Sequence, residues 1–173
     1  MPATQFHAQV QVRLASPSER APLYRMLELY QYELSDIWDQ DLDETGEYGY
    51  ALDRYWQAAG NYPYVALAGG HYVGLALVDD RVKLPEGQFW MDQFFVLKKY
   101  RREGIGNELA RRVIAQHPGR WQIGQMTENT GARFFWRQVI ERVTRGAFEE
   151  QKLTSGWWQG YVQTFTSKAE SAA

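Results

Sequence analysis

From Gln88 to Gln116 the chain reads QFWMDQFFVLKKYRREGIGNELARRVIAQ, and no other stretch constrains the fold as strongly. An apolar run, Phe89, Trp90, Met91, Phe94, Phe95, Val96 and Leu97, breaks into a basic turn with Lys98, Lys99, Arg101 and Arg102, then Gly104-Ile105-Gly106. From Ile105 the spacing is helical, because Ile105, Leu109, Val113 and Ile114 fall at i, i+4, i+8 and i+9. The order is strand, basic glycine turn, helix. A helix entered this way points its first N–H groups outward, and its dipole adds partial positive charge there. Such an end binds an anion, most often a phosphate.

The flanking chain supplies the other elements. Gln9 to Leu14 alternates, with Val10, Val12 and Leu14 on one side, as in a strand with one buried face. Ser16-Pro17-Ser18-Glu19 combines an N-cap serine, a proline at the first helical position and a glutamate at the third, so a capping box should open a helix from Pro17 to about Ser35. A short second helix follows. Tyr62–Ala68 and Tyr72–Val78 read as strands of a hairpin turned by Gly69-Gly70-His71, and Val82–Glu86 as loop. After the central strand and its helix, which stops at His117-Pro118-Gly119, Trp121–Met126 is a short strand. Asn129 then caps a helix whose buried stripe is Ala132, Phe135, Trp136 and Val139. Glu141–Phe148 and Trp158–Phe165 read as the last two strands, joined near Thr154-Ser155-Gly156, and a polar tail begins about Ser167. A right-handed crossover makes strands four and five parallel within a mixed sheet, with helices on both faces.

With 173 residues the chain suits a single domain spanning 1–173. Cysteine is absent, which excludes disulfides, thiol nucleophiles and cysteine metal sites. A net charge of −2 argues against a dedicated nucleic-acid binder. The start, MPATQFHAQVQV, lacks the pattern of a signal peptide, and no run reaches the roughly 18 apolar residues of a membrane span, so the cytoplasm is the expected location. The charge is unevenly spread. Between Glu28 and Trp56 nine acids face the single Arg54, a local −8, interleaved with Tyr30, Tyr32, Trp38, Tyr48, Tyr50, Tyr55 and Trp56. A solvated helix end and loop would look like this; so would a pocket wall that attracts ammonium groups, since aromatic faces also favour them.

Two nucleotide motifs fail against the glycine turn. A dinucleotide fingerprint requires glycine where Leu109 stands, and the nucleoside-triphosphate loop requires Gly-Lys followed by Ser or Thr, which does not occur. The remaining pattern, Arg101-x-x-Gly104-x-Gly106, resembles the Q/R-x-x-G-x-G/A signature of the GNAT superfamily of N-acetyltransferases. Phe94-Phe95-Val96-Leu97 resembles that family's fourth strand. Asn129-x-x-Ala132-x-x-Phe135-Trp136 resembles its second landmark, an asparagine opening the helix after the fifth strand followed by an aromatic pair. The resemblance covers nearly the whole chain. It implies an α+β fold, an α/β/α sandwich on a mixed, mostly antiparallel sheet of about seven strands with strands 4 and 5 splayed apart. It also implies acetyl-CoA as co-substrate, and no metal.

By that resemblance the backbone of Phe95, Val96 and Leu97 pairs with the pantetheine arm. Backbone N–H groups from about Arg102 through Gly104, Ile105 and Gly106 to Asn107 cradle the pyrophosphate, Arg101 and Arg102 add charge, and Asn129 and Phe135 line the other side of the cleft. The acceptor is then a primary amine of a cationic small molecule or peptide, met by Tyr30, Glu33 and Asp36. An amine must shed a proton, and Asp92 and Glu33 are the candidate general bases. The family's tyrosine acid has no counterpart, because Trp136 stands at its position and an indole N–H cannot replace it. His7, His71 and His117 lie in a terminus, a turn and a helix stop, and none is an attractive base. A non-catalytic CoA-binding or sensor module is the alternative which the missing tyrosine keeps open. Trp157 and Trp158 suit a homodimer interface as well as a core.

Overall fold

The computed structural model describes residues 10–169, so Gln9, His7 and the tail from 170 to 173 lie outside the described residues. In chain order the elements are β1 (Val10–Leu14), a 3-10 turn (Pro17–Glu19), α1 (Arg20–Trp38), α2 (Arg54–Gln57), β2 (Tyr62–Ala68), β3 (His71–Asp79) and β4 (Phe89–Val96). A second 3-10 turn (Lys98–Tyr100) leads to α3 (Ile105–Gln116), β5 (Gly119–Gln125), α4 (Thr130–Thr144), β6 (Phe148–Leu153) and β7 (Gly160–Ser167). The strands form one mixed sheet in the order β1-β2-β3-β4-β5-β7-β6, with β4 and β5 parallel. The expected α+β class and seven-stranded mixed sheet are those observed. The chain divides into two compact units, one holding residues up to Leu77 with Gln93–Leu109, the other Val78–Asp92 with the chain from Ala110 onward.

In the first unit α1 buries Leu23, Met26 and Leu27 against Leu52, Tyr55, Val65, Leu75, Leu77 and Phe95. Leu23, Met26 and Leu27 fall at i, i+3 and i+4, the spacing of a helix with one apolar face. The capping sequence is used as expected and for more besides. The Glu19 carboxylate accepts the Ser16 N–H at 2.9 Å, both arms of the Arg13 guanidinium at 2.7 and 2.8 Å, and the Tyr72 hydroxyl at 2.8 Å. One carboxylate thus ties β1, the start of α1 and β3 together. α1 runs a turn beyond Ser35 and ends at Asp39, whose left-handed backbone (φ 49) returns its N–H to the Ser35 carbonyl. The β2–β3 hairpin turns through Gly69 and Gly70, both at positive φ, as the two-residue glycine loop predicts. β1, an edge strand among the described residues, departs from its expected pattern: Val10 is buried but Leu14, its last residue, is 50% exposed.

In the second unit β5 pairs with β7 from Gly119↔Ser167 to Gln125↔Tyr161, and β7 pairs with β6. Trp121, 1% exposed, stacks on Phe165 of the neighbouring strand, and Phe89 and His117 complete this aromatic core. The expected strand at Glu141–Phe148 is a correction. α4 continues through Glu141–Thr144, since Trp136, Val139 and Ile140 bury one face at i, i+3 and i+4. The helix stops where Arg145 (φ 55) and Gly146 (φ 85) turn left-handed, and β6 starts only at Phe148. Val143 and Thr144 are β-branched, a preference for strand that packing of the helix overrides.

Candidate functional site

The glycine turn is built by backbone geometry. β4 ends at Val96, and the Leu97 N–H donates to the Val73 carbonyl at 2.9 Å, which fixes the strand's exit. Arg101 is extended, Arg102 is left-handed at φ 63, Gly104 is left-handed at φ 77, and α3 begins at Ile105. A non-glycine residue at positive φ costs about 1 kcal/mol or more, and such strain gathers where a loop must present its backbone to something. Glu108 donates its N–H to the Gly104 carbonyl at 3.0 Å, the first bond of α3. The N–H groups ahead of it, around Gly104 to Gly106, are those a helix N-terminus offers to an anion. Gly104 has no Cβ to strain its left-handed backbone or to block the approach.

Arg101 does something the motif alone does not reveal. Its Nε donates to the Val96 carbonyl at 2.7 Å, and its terminal nitrogen donates to both oxygens of Glu33 at 2.8 and 2.7 Å. The guanidinium also lies 5.4 Å from the Phe95 ring centroid, and the Tyr30 ring is 5.3 Å from Phe95. The first unit therefore gathers Tyr30, Glu33, Phe95, Val96 and Arg101 into one cluster. Arg101 braces the end of β4 against α1, and Arg102 is the arginine that sits in the turn itself.

The acidic segment is folded largely by its own carboxylates. Glu28 accepts the N–H groups of Tyr48 and Gly49, each at 2.8 Å. Asp43 accepts from the Thr45 N–H and hydroxyl and from the Glu47 N–H, while Asp53 pairs with Arg20. Glu47 takes the Tyr24 hydroxyl at 2.8 Å, which pushes that phenol up to about 12. Asp36, one turn beyond Glu33 on α1, lines a cleft with Ser35, Asp39, Gln40, Asp41, Leu42 and Tyr48.

The second unit contains the beginning of the splay. β4 and β5 pair only as Phe89↔Trp121 and Trp90↔Gln122, although β5 keeps pairing with β7 as far as Gln125. Just past that last pair, the rings of Trp90 and Trp158 stand over Gly124 of β5. A Cβ there would lie 2.7 Å from Trp158 and closer still to Trp90. Asp92, half-buried, lies two residues beyond Trp90. Asn129 is the N-cap of α4, its side-chain oxygen accepting the Ala132 N–H at 3.2 Å. Phe135 is half-buried with its ring edge-on to Trp136, 5.1 Å between centroids, and Trp136 is itself 4% exposed. Burial of His117 pushes its pKa down, and its ring packs between Phe89 and Trp121 as core.

One network had no sequence signal. Gln125 and Gln163, both buried, exchange amide hydrogen bonds at 2.8 and 2.9 Å, and Gln163 also donates to Glu150 at 2.6 Å. Glu150 is held ionised, its pKa lowered chiefly by the Arg133 guanidinium of α4. This chain of polar side chains sets the start of α4 against the β5-β7-β6 end of the sheet, and so places Asn129.

Among the described residues no helix is long and apolar enough to cross a membrane. The chain is similar in fold to an acetyltransferase from Thermus thermophilus, with a TM-score of 0.71 at 13% identity over 94% of this chain and 99% of that one. It is also similar to a GNAT acetyltransferase from Elizabethkingia anophelis solved with acetyl-CoA bound (TM-score 0.56, 13% identity, 94% and 99% covered). A ribosomal-protein alanine N-acetyltransferase from Escherichia coli gives a TM-score of 0.62 at 8% identity, covering 94% and 97%. A search of curated protein sequences finds no match. The sequence profile of the acetyltransferase (GNAT) family matches residues 23–139, which include the glycine turn, β4, β5 and the Asn129 landmark. On that match and this fold, the chain belongs to the GNAT family of acetyltransferases.

Proposed function

We propose that the chain works as one acetyltransferase domain, carrying an acetyl group from acetyl-CoA to a primary amine of a cationic small molecule or peptide. The observation that carries this is the turn from Arg101 to Gly106, left-handed at Arg102 and Gly104, placed between β4 and the N-terminus of α3. Such a concavity of backbone N–H groups fits a pyrophosphate. In this reading Arg102, Gly104, Ile105, Gly106 and Asn107 hold the pyrophosphate. The backbone of Phe95, Val96 and Leu97 takes the pantetheine arm, with Asn129 and Phe135 assigned to the same arm. Arg101 acts by bracing β4. Bound acetyl-CoA supplies an activated acyl group as a thioester.

The chain's own residues handle the amine. An ammonium is not a nucleophile, so a base must take its proton. Asp92 and Glu33 are the two candidates, and both Glu33 oxygens accept from the Arg101 guanidinium that holds α1 and β4. Glu33 then positions, and with Tyr30 and Asp36 flanks the acceptor. Trp136 is buried, and an indole there packs but does not donate a catalytic proton.

Titration calorimetry with acetyl-CoA tests the donor half: saturable binding is expected, and its absence at millimolar concentration overturns the proposal. Arg102→Glu with Gly104→Glu should reduce affinity by about tenfold or more while the circular dichroism stays unchanged. Release of free thiol in the presence of polyamines, aminoglycosides or lysine peptides tests the acceptor half. Intact cofactor binding with silence across the panel would mark a non-catalytic CoA-binding module instead.

A further inference from the structure

The second unit holds an ammonium group over two indole rings. Lys83 lies in the loop between β3 and β4, and its Nζ is 4.2 Å from the ring centroid of Trp90 and 4.7 Å from that of Trp157. It also donates to the Arg81 carbonyl at 2.7 Å. Trp158 meets Trp90 edge-on at 5.5 Å between centroids, and both rings close over Gly124. The loop carrying Lys83 is fixed from beneath. Gln122, 1% exposed, accepts the N–H groups of Lys83 and Leu84 at 2.8 and 3.0 Å and donates to the Leu84 carbonyl at 2.8 Å. Gln122 is also half of the last residue pair between β4 and β5. Three indoles and one ammonium are thus assembled at the point where those strands part.

Trp157 is 85% exposed, so burial does not hold it there. Its partner is a cation over its face, the arrangement by which aromatic side chains recognise alkylammonium groups. The cation present is a linear primary ammonium on a four-carbon stem. We propose that Trp90, Trp157 and Trp158 form a recess for the primary ammonium end of a linear alkylammonium acceptor, and that Lys83 is its resident competitor, leaving as the acceptor enters. This rests on the amine-acceptor reading above and narrows it. Lys83 itself places a linear CH₂–NH₃⁺ end over both the Trp90 and Trp157 rings, whereas an ammonium borne directly on a sugar ring carries more bulk around its charge.

The test uses n-butylammonium, which reproduces the Lys83 side chain, with n-butanol as its uncharged counterpart and tryptophan emission as readout. Lys83→Met keeps the stem and removes the competing charge, and should bind butylammonium about three- to tenfold more tightly than the natural chain. Adding Trp157→Ala to that variant should abolish the gain, and because Trp157 is so exposed the fold should not suffer. Equal titrations for the natural chain and Lys83→Met, or an equal response to butanol, would overturn the proposal. Spermidine and Nα-acetyl-lysine amide are then compared as competitors: displacement by the first marks a polyamine acceptor and by the second a protein lysine, while displacement by neither overturns the assignment. Acetyl-CoA calorimetry on the same proteins keeps the two readings apart. Loss of acetyl-CoA binding in the natural chain would sink acetyl transfer and leave the recess standing on its butylammonium titration, and the reverse result would sink only the recess.

Discussion

The placement of Tyr30, Glu33 and Asp36 depends on where α1 begins, and Glu19 sets that. Its carboxylate gathers the Arg13 guanidinium, the Ser16 N–H and the Tyr72 hydroxyl, and the residue is 9% exposed. Pairing with Arg13 is the largest cause of its pKa falling from an ordinary 4.5 to about 2. A shift of that size is about 3 kcal/mol of preference for the ionised form in the folded state. Arg13 is 39% exposed and solvent screens its charge, so about 2 kcal/mol is the expected share. The sign follows from the depressed value. Above 4.5 both folded and unfolded chains carry the charge and the stabilisation is complete; as pH falls toward 2 the unfolded chain binds the proton first and the stabilisation drains away. About three-fifths should be gone by pH 3. Glu19→Gln keeps the shape and removes the charge. Urea unfolding at pH 7 should place it about 2 kcal/mol below the natural chain, with the gap reduced to about 1 kcal/mol at pH 3. A gap under about 0.5 kcal/mol at pH 7, or one that does not shrink with acid, would refute the assignment of Glu19 as an ionised buried link.

Other substitutions probe the site directly. Asp92→Asn should lower kcat by about 10² to 10⁴, with acetyl-CoA affinity unchanged in calorimetry. Glu33→Gln should leave kcat near that of the natural chain and raise the acceptor KM instead; the opposite pattern would make Glu33 the base. Gly104→Ala puts a Cβ on a left-handed residue and should cost about 1 kcal/mol, read as a fall in Tm and in acetyl-CoA affinity. Gly124→Ala drives a methyl group into the Trp90 and Trp158 rings, and should destabilise by about 1–3 kcal/mol in urea unfolding. Asn129→Ala removes the α4 cap and should cost about 1 kcal/mol by the same measurement.

Local signals were legible in the sequence and long-range partners were not. The helical stripe of α1, the Gly69-Gly70 turn, the Asn129 cap and the glycine turn before α3 are each written in a few adjacent residues, because each is governed by backbone preference or a single periodicity. At Glu141–Thr144, expected as strand, the buried stripe of Trp136, Val139 and Ile140 keeps the chain helical, and that stripe depends on what the helix packs against. The reach of Arg101 to Glu33, 68 residues earlier, has no local trace. Neither does the Gln125–Gln163–Glu150 chain, whose members become neighbours only through the β5–β7–β6 pairing. The role of Gly124 was equally hidden, since a glycine in a strand signals close approach without naming the rings that approach.

The acidic segment was the sequence argument for a cationic acceptor, and the folded chain changes what that argument can bear. Glu28, Asp43, Glu47, Asp53 and Glu33 each accept from a backbone N–H, a phenol or a guanidinium within the first unit. Those carboxylates build the α1–α2 loop and brace β4, so five of the nine acids are spent on structure. Their charges still add to the field that draws cations toward this part of the surface, but a field attracts ammonium, guanidinium and metal ions alike and is screened by salt. Selection between cations needs contacts that depend on shape. The indole faces around Lys83 have that property, since attraction to a ring face falls off with distance and with the bulk around the charge. Ionic strength therefore separates the two contributions: raising salt should weaken every cationic acceptor through the association rate, while the preference for a linear alkylammonium over a ring-borne amine should persist. A preference that vanished with the field would place acceptor choice in the carboxylates and remove it from the tryptophans.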